Sequence, residues 1–164
     1  MAHIREATAA DIPQITAIYN QAIRARCTCD LQEVTEEARL AWLQKHDAET
    51  PVFVYEQNGQ VVGYAYLTKY RDGREALQRV GELSYYVDFA VHKQNIGTAL
   101  SRHAIEAARA LGYTHLIAIL LAYNAGSTAL LIKNGFTLWG MMPEIAQIDG
   151  AAHSHAYYGL SLQA

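Results

Sequence analysis

The chain has 164 residues, of which 51% are hydrophobic, and a formal net charge of −3. This length and composition suffice for a single globular domain with a full core, which we place at residues 1–164. The negative net charge disfavours a general nucleic-acid-binding protein, and no apolar run is long enough to predict a membrane span.

The two cysteines, Cys27 and Cys29, are too close in sequence to staple a fold. A Cys-x-Cys pair without further cysteines is also a poor zinc signal. We interpret both as reduced thiols of a cytoplasmic protein, and we predict no metal site.

The first third of the chain predicts a strand followed by two helices. Residues 3–7 favour a short strand, and Thr8 with Asp11 forms a capping-box pattern. The helix that follows carries its apolar residues at helical spacing, at Ile12, Ile15, Ile18, Tyr19, Ala22 and Ile23. Residues 24–34 are polar and irregular. Thr35 then caps a second helix, with Lys45 and His46 in its last turn. Its buried side should include Ala38, Ala41 and Trp42.

The middle of the chain predicts a hairpin and a central strand. Residues 51–56 and 61–67 flank Asn58-Gly59, which is a strong hairpin signal. Residues 70–78 are charged and predict a loop. In the central strand, which starts at Gly81, one set of residues alternates with another: Leu83, Tyr85 and Val87 with Glu82, Ser84, Tyr86 and Asp88.

A polar turn joins the central strand to a third helix, which Gly112 can end. The turn consists of His92, Lys93, Gln94, Asn95, Ile96, Gly97 and Thr98. Because several backbone N–H groups point the same way at the positive end of a helix dipole, such a turn can hold an anion, most often a phosphate. His92 and Lys93 would add side-chain donors. Many strand–turn–helix units bind nothing, so the turn alone leaves both interpretations open.

The last third predicts a strand, a short helix and a hairpin. Residues 115–121 form a continuous apolar run typical of a buried strand. Asn124 is a candidate N-cap of a helix through Asn134. Residues 136–147 and 153–162 predict strands around Asp149-Gly150. The resulting order, β-α-α-β-β-β-α-β-α-β-β, indicates a mixed α/β layer structure.

Short motifs follow one another along nearly the whole chain: Ile4-Arg5-x-Ala7-Thr8-x-x-Asp11, Ile18-Tyr19-Asn20-x-Ala22, Ala41-Trp42, Asn58-Gly59-x-Val61-Val62-Gly63-Tyr64-Ala65, Glu82-x-Ser84-x-Tyr86-Val87, Asn124-x-x-Ser127, Gly135-Phe136 and Met142-Pro143. With the order of elements, they resemble the GNAT superfamily of acetyl-CoA-dependent N-acetyltransferases. Within it, the chain resembles the phosphinothricin and methionine sulfoximine/sulfone acetyltransferase group. The resemblance implies a mixed, mostly antiparallel sheet of about seven strands flanked by about four helices. It also implies acetyl-CoA as co-substrate, a small-molecule amine as acceptor, no metal and a homodimer.

Some positions depart from the family pattern. The phosphate turn usually reads Gln/Arg-x-x-Gly-x-Gly, whereas this chain has His92, Asn95 and Gly97 there, and Lys93 replaces another frequent glycine. Asn tolerates a left-handed backbone, so the turn can survive. Leu131 stands where the superfamily often has a Tyr that is proposed as general acid.

The resemblance also assigns cofactor-binding roles. The turn at residues 92–98 would hold the diphosphate. The main chain of Tyr85, Tyr86 and Val87 would bind the pantetheine arm and leave an N–H free for the oxyanion. Asn124 would bond the same arm, or serve as a plain helix N-cap, and Lys133 would reach the phosphates unless it is only solvated.

Glu82 is the candidate general base, because a carboxylate on a half-buried strand has a raised pKa that suits proton removal from an ammonium group. The alternatives are a glutamate on a solvated strand face or one paired with Arg79. The general acid is open among Tyr123, Tyr86 and Tyr85, and a thiolate leaves well enough to need none.

Acceptor binding is predicted at Arg79 and Cys29. The group's usual Arg ahead of the central strand aligns with Gln78, one place before Arg79, and Cys29 aligns near the loop that contacts the acceptor. His153 and His155 share a strand face, which we interpret as a polar edge pair because no third metal ligand is in view.

We therefore predict a cytoplasmic N-acetyltransferase that acts on a small amine, such as an amino acid or an analogue. A protein N-terminus is a second class of acceptor. The alternative from another class is a non-catalytic acyl-CoA-binding or interaction protein on the same fold, since the phosphate turn is altered. A third hypothesis is that Lys93 and Asn95 block CoA and that the cleft serves another ligand.

Overall fold

The computed structural model describes residues 1–163, which form one seven-stranded sheet with helices on its two faces. The strands are β1 (Ala2–Glu6), β2 (Val52–Gln57), β3 (Gln60–Lys69), β4 (Val80–Val87), β5 (His115–Leu121), β6 (Thr137–Ile148) and β7 (Ala151–Ser161). The helices are α1 (Ile12–Arg24), α2 (Glu36–Leu43), α3 (Ile96–Ala110) and α4 (Ala125–Lys133). Short 3₁₀ turns lie at Ala9–Asp11, Glu75–Leu77 and Phe89–Val91.

The strand order across the sheet is β1-β2-β3-β4-β5-β7-β6. Neighbouring strands are antiparallel except for β4 and β5, which α3 connects and which run parallel. Hairpins join antiparallel neighbours directly, whereas a parallel pair needs a crossover, here a helix. The predicted mixed, mostly antiparallel sheet with four flanking helices is confirmed.

Two hydrophobic clusters cover the two faces of the sheet. On one face α3 packs through Leu100 and Ala104 against Leu67 and Leu83 of the central strands. On the other face α1 packs through residues such as Ile15, and here several tyrosines join the cluster. The central strands are thus buried on both sides, which explains their apolar sequences.

Helix α2 differs from its prediction in two ways. It ends at Leu43, so Lys45 and His46 lie beyond it rather than in its last turn. Its fully buried side chain is Arg39, 6% exposed, whereas Ala38 and Ala41 are exposed. The guanidinium group of Arg39 is drawn inward by aromatic rings, an attraction that helical periodicity of apolar residues does not register.

Strand β6 forms one edge of the sheet and is exposed along most of its length. It carries five exposed large apolar side chains, which are Leu138, Trp139, Met141, Met142 and Ile145. Isolated exposed apolar residues are common on protein surfaces, whereas five on one edge strand are unusual.

Candidate active site

The two parallel strands separate after a short paired segment. β4 and β5 pair only at Val80 with His115, Gly81 with Leu116, and Glu82 with Ile117. β4 then continues for five residues and β5 for four without pairing to each other. A gap therefore opens in the middle of the sheet, directly beyond Glu82.

The backbone of β4 offers unpaired groups to this gap. The Asp88 N–H donates to the Val62 carbonyl oxygen of the β3 side at 2.9 Å. Because hydrogen bonding alternates along a strand, the even-numbered residues of β4 bond to β3. The N–H and C=O groups of Tyr85 and Val87 consequently point away from β3, into the gap, while the main chain of Tyr86 is used by β3.

A cavity of about 670 Å³ fills the gap and extends to both faces of the sheet. The predicted site residues that line it are Cys29, Glu82, Tyr85, Tyr86, Val87, His92, Lys93, Asn95, Ile96, Gly97, Thr98 and Asn124. Those that do not are Arg79, Gln94 and Lys133. One end of the cavity lies at the start of α3, and the other lies at the loop between α1 and α2.

The turn before α3 has a left-handed backbone at two positions that lack the family's glycines. Lys93 and Asn95 both have left-handed backbones, with φ of 66° and 62°. The Asn95 side-chain oxygen accepts a hydrogen bond from Lys133 Nζ at 3.3 Å, so its amide is turned toward α4. The first N–H groups of α3 have no partner within the helix, and with the helix dipole they can attract an anion at this end of the cavity.

Gly97 allows α3 and α4 to approach each other at the cavity. A Cβ atom on Gly97 would lie 2.7 Å from the Leu130 Cδ1 atom of α4. Any larger residue would therefore push Leu130, which itself lines the cavity.

His92 does not act as the predicted side-chain donor of this turn. Its Nε2 atom donates to the Val87 carbonyl oxygen at 2.9 Å, and its ring packs on Phe89 with centroids 4.7 Å apart. The ring thus closes the end of β4, and Lys93 supplies the fixed positive charge among the lining residues of the turn.

Glu82 is half-buried and lines the cavity where the strands separate. Burial, which disfavours the charged form, raises the pKa of its carboxyl group. Within the described residues it forms no ion pair, so the alternative of a Glu82–Arg79 pair is not realised. A carboxylate in this position can accept a proton from a group bound in the gap.

The prediction that Arg79 binds an acceptor is not supported by its position. Its Nε atom donates to the Gly112 carbonyl oxygen at 2.9 Å, just beyond the C-terminal end of α3. The unpaired carbonyl groups there attract a guanidinium group, and they hold Arg79 outside the cavity.

The three candidate acids have different surroundings. Tyr85 donates its hydroxyl to the Ser127 carbonyl oxygen at 3.3 Å, and burial raises its pKa to about 12. Tyr86 packs between other tyrosine rings, and burial raises its pKa further. Tyr123 donates to the Arg26 carbonyl oxygen and does not line the cavity. None of the three has a pKa that favours proton release near neutrality.

The other end of the cavity contains residues that sequence analysis did not assign to the site. These are Tyr19, Asp30, Tyr66 and His155. The Tyr19 hydroxyl donates to the Asp30 carboxylate, and Cys29 Sγ lies 3.7 Å from His155 Nε2. Burial raises the pKa of the Cys29 thiol and lowers that of His155, so this pair is neutral. The sequence signal for this end of the cavity was Cys29, which the family resemblance aligns near a loop that contacts the acceptor.

Asn124 caps α4 and still faces the cavity. Its side-chain oxygen accepts from the Ser127 N–H at 3.2 Å, and its Nδ2 group remains for a ligand. The two roles left open for this residue are therefore compatible. The ring of His153 packs on the ring of Tyr123, with centroids 4.9 Å apart. Over residues 1–163, no group of three or more metal-ligating side chains occurs, and no helix is both long and apolar enough to cross a bilayer.

Comparison with known proteins gives consistent results. Residues 15–136 match the profile of the Acetyltransferase (GNAT) family. A Bacillus subtilis protein with the provisional name phosphinothricin acetyltransferase is 35% identical over 162 residues, covering 97% of this chain and 98% of that relative. The L-methionine sulfoximine/L-methionine sulfone acetyltransferase of Pseudomonas paraeruginosa is 34% identical, covering 91% and 88%. The crystal structure of a phosphinothricin acetyltransferase from Sinorhizobium meliloti with acetyl-CoA superposes with a TM-score of 0.89 at 28% identity, covering 98% and 88%.

Proposed function

The chain belongs to the GNAT family of acetyltransferases, and we propose that it transfers the acetyl group of acetyl-CoA to a small, amino-acid-like amine with Glu82 as general base. The observation that carries the proposal is the position of Glu82. Its half-buried carboxylate lies at the last paired residue of β4 and β5 and faces the cavity that opens beyond it. A base beside free backbone donors is the arrangement that acyl transfer requires.

The residues of the cavity fit acetyl-CoA, which supplies the activated acetyl thioester. The first turn of α3 offers free N–H groups to a diphosphate, with Lys93 and Lys133 beside it. The gap-facing backbone of Tyr85 and Val87 offers donors and acceptors to an amide-containing arm, although His92 already engages the Val87 oxygen. Asn124 offers its Nδ2 group from the opposite wall.

In the proposed reaction Glu82 takes the proton of the acceptor ammonium, directly or through a water. The amine then forms a bond to the thioester carbonyl carbon, and the carbonyl oxygen becomes negative. A backbone N–H that faces the gap from β4 stabilises this oxygen. The C–S bond then breaks, and the nitrogen gives up its second proton, through water, to the leaving thiolate as the amide forms. No dedicated acid is needed for this step, in keeping with the high pKa of the nearby tyrosines.

Replacement of Glu82 tests the proposed base. Glu82→Gln should lower kcat/KM by about a hundredfold or more, the usual contribution of a general base. Acetyl-CoA should still raise the Tm of the variant, since a ligand of the native state stabilises it. Glu75→Gln, which changes an exposed glutamate outside the cavity, is the matched control. Wild-type turnover by the Glu82 variant would contradict the role of Glu82 as base.

We propose amino-acid analogues as acceptors because relatives are named for methionine sulfoximine and methionine sulfone. We place the acceptor at the end of the cavity next to the loop between α1 and α2, and call this the acceptor end. The carboxylates of Asp30 and Glu82 line the cavity there and suit an ammonium group. Thiol release should be measured with L-methionine sulfone, L-methionine sulfoximine, phosphinothricin and a short peptide with a free N-terminus. Activity with the peptide alone would favour a protein acceptor and contradict the proposal.

We further propose that the protein forms a homodimer through the β6 edge. This strand has one charged residue, Glu144, among its exposed apolar side chains, so pairing with an identical edge would bury apolar surface at little electrostatic cost. Sedimentation should give a dimeric mass that Ile145→Glu reduces toward the monomer. Ile132→Glu, on an exposed isoleucine of α4, should leave the mass unchanged. A monomeric wild-type protein at micromolar concentration would contradict this interface.

We also propose that the protein acts in the cytoplasm, where acetyl-CoA is available. Cys27 and Cys29 are both free thiols, which fits a reducing compartment. Cell fractionation with detection of the protein tests this, and recovery mainly from an oxidising compartment would refute it.

A further inference from the structure

Arg39 is a buried cation without a carboxylate partner. It lies on α2 with 6% of its surface exposed, and it forms no ion pair within the described residues. One hydrogen bond is present, from Nη2 to the Tyr64 hydroxyl at 3.1 Å, and its Nε atom has no partner. Removing a charged group from water is unfavourable unless it is paired, so this residue is retained at a cost to stability.

Aromatic rings hold the guanidinium group in place. Its central carbon lies 3.8 Å from the centre of the Trp42 ring, 4.4 Å from that of Tyr19 and 5.8 Å from that of Tyr64. Cation–π contacts stabilise the charge but do not neutralise it, because the rings carry no net charge. The positive field of Arg39 therefore extends beyond its immediate neighbours.

Arg39 lies close enough to the acceptor end of the cavity for its field to act there. Tyr19 and Tyr66 line that end, and Tyr64, which does not line the cavity, stacks on Tyr66 with ring centroids 6.1 Å apart. Arg39 contacts Tyr19 and Tyr64, so one layer of rings separates it from the cavity. The dielectric constant of such a layer is lower than that of water, so the charge of Arg39 interacts more strongly through it with a charge in the cavity.

Neither acidic group of the cavity forms an ion pair with Arg39 within the described residues. Asp30 accepts a hydrogen bond from the hydroxyl at the edge of the Tyr19 ring, whereas Arg39 lies over the face of that ring. Glu82 lies on β4, and burial, not a neighbouring cation, is what shifts the pKa of its carboxyl group. The acceptor end thus combines two carboxylates that face the cavity with one buried positive charge behind its tyrosine wall.

We propose that Arg39 is a positioning residue that makes the acceptor site prefer amines bearing a nearby carboxylate or other anionic group. This inference rests on the proposed acetyltransferase function. The ammonium group of the acceptor turns toward Glu82, and its anionic group turns toward the wall formed by Tyr19 and Tyr66. Arg39 acts through these rings and does not touch the acceptor.

The test compares two acceptors that differ only in this charge. L-methionine sulfone and its carboxamide are acetylated by the wild type, Arg39→Met and Arg39→Lys, and the ratio of their kcat/KM values is the readout. Because each variant receives the same two acceptors, their different amine pKa values cancel between variants. Arg39→Met should lower the preference for the free acid by roughly tenfold, as expected for one buried charge at an effective dielectric constant of about 20. Arg39→Lys should keep the preference.

Two controls separate charge from structure. Arg24→Met removes an exposed arginine at the end of α1, next to the loop that carries Asp30. Because water screens the charge of Arg24, the ratio of kcat/KM values should not change. Tyr64→Phe removes the hydrogen bond of Arg39 but leaves its charge, and should also keep the ratio. The Tm rise with acetyl-CoA reports an intact fold in each variant.

An unchanged ratio in Arg39→Met, with an active wild type, would overturn this inference and leave the proposed function standing. Absence of transfer to both compounds by the wild type would overturn both. Should Arg39→Met fail to fold, the wild type alone still decides. N-acetyl-methionine sulfone should then inhibit roughly tenfold more strongly than its carboxamide, and equal inhibition would refute the role of Arg39.

Discussion

At the scale of single residues, the cavity holds charges that a folded protein would otherwise avoid. Burial raises the pKa of Glu82, which has no ion-pair partner within the described chain. By contrast, Asp11 accepts hydrogen bonds of 2.8 Å from Arg5, and these bonds lower the pKa of its carboxyl group. The first carboxylate is placed for chemistry and the second for stability. The two residues should therefore respond to substitution and to pH in opposite directions.

Glu82→Gln should increase stability at neutral pH. A raised pKa in the folded state means that folding favours the protonated carboxyl, so ionised Glu82 destabilises the fold above that pKa. The neutral amide lacks this penalty, and its Tm near pH 7.5 should be higher than that of the wild type by about 2–4 °C, as for about 1 kcal/mol in a protein of this size. The difference should vanish below the ordinary carboxyl pKa of 4.5.

The matched contrast is Asp11→Asn, whose lowered pKa gives stability above the unfolded pKa that is lost as the pH falls. Its Tm should therefore be lower than that of the wild type at pH 7.5. Thermal melts of the three proteins between pH 4 and pH 8 test both signs. A lower Tm of Glu82→Gln at pH 7.5 would show that ionised Glu82 is stabilised in the fold.

At the scale of elements, the site depends on how β4, the turn and α3 are joined. The turn keeps two left-handed residues without glycine, Lys93 and Asn95, and glycine is instead needed at Gly97. There the requirement is steric and not conformational, since α4 approaches through Leu130. The position of α4 relative to α3 thus sets the width of the cavity at the start of α3.

Gly97→Ala should affect ligand binding more than stability. Alanine favours a helix by about 1 kcal/mol over glycine, which offsets much of the overpacking against Leu130, the flexible end of a side chain. The displaced Leu130 narrows the cavity, and the Kd of acetyl-CoA should rise about fivefold, equivalent to about 1 kcal/mol. Calorimetric titration measures the Kd. Gly140→Ala, where a Cβ atom would meet no atom within 4 Å, is the control.

At the scale of the whole molecule, the sheet runs without interruption from β1 to β6 except at the gap between β4 and β5. Contacts between residues far apart in sequence link the parts of the chain that precede and follow the gap. Arg26, in the loop after α1, binds Asp149 of the β6–β7 turn through two bonds of 2.8 and 3.0 Å. We propose from this continuity that the chain is one domain, in spite of the gap.

The two tryptophans can test whether the chain unfolds as one domain. Trp42 of α2 packs against Tyr64 and Tyr66 of β3, whereas Trp139 lies on the edge strand β6. In Trp42→Phe and Trp139→Phe the remaining tryptophan reports one end only. Urea transitions followed by each tryptophan and by circular dichroism should coincide within each variant. A separate, earlier transition of the β6 end would show that the halves unfold independently.

The amino-acid sequence by itself determined the elements and the type of site. Alternation in β4, the helical spacing of apolar residues in α1, the apolar run of β5 and the polar turn before α3 are local patterns, and each was sufficient to predict its element. Glu82 was also found from its strand position and its resemblance to a family motif. Such features are encoded within a few neighbouring residues, because backbone geometry and periodic burial are local properties.

Only the tertiary structure decided which side chains share the cavity. Arg79 is captured by the end of α3, 33 residues away, and Arg39 is buried among rings from α1 and β3. Cys29 Sγ lies 3.7 Å from His155 Nε2 although the two residues are far apart in sequence. These contacts depend on how helices and strands pack, and the energies that favour one partner over another are small differences between burial, charge and hydrogen bonding. A local pattern contains the side chains but not their neighbours, which is why the chemistry of the acceptor end became visible only in the folded chain.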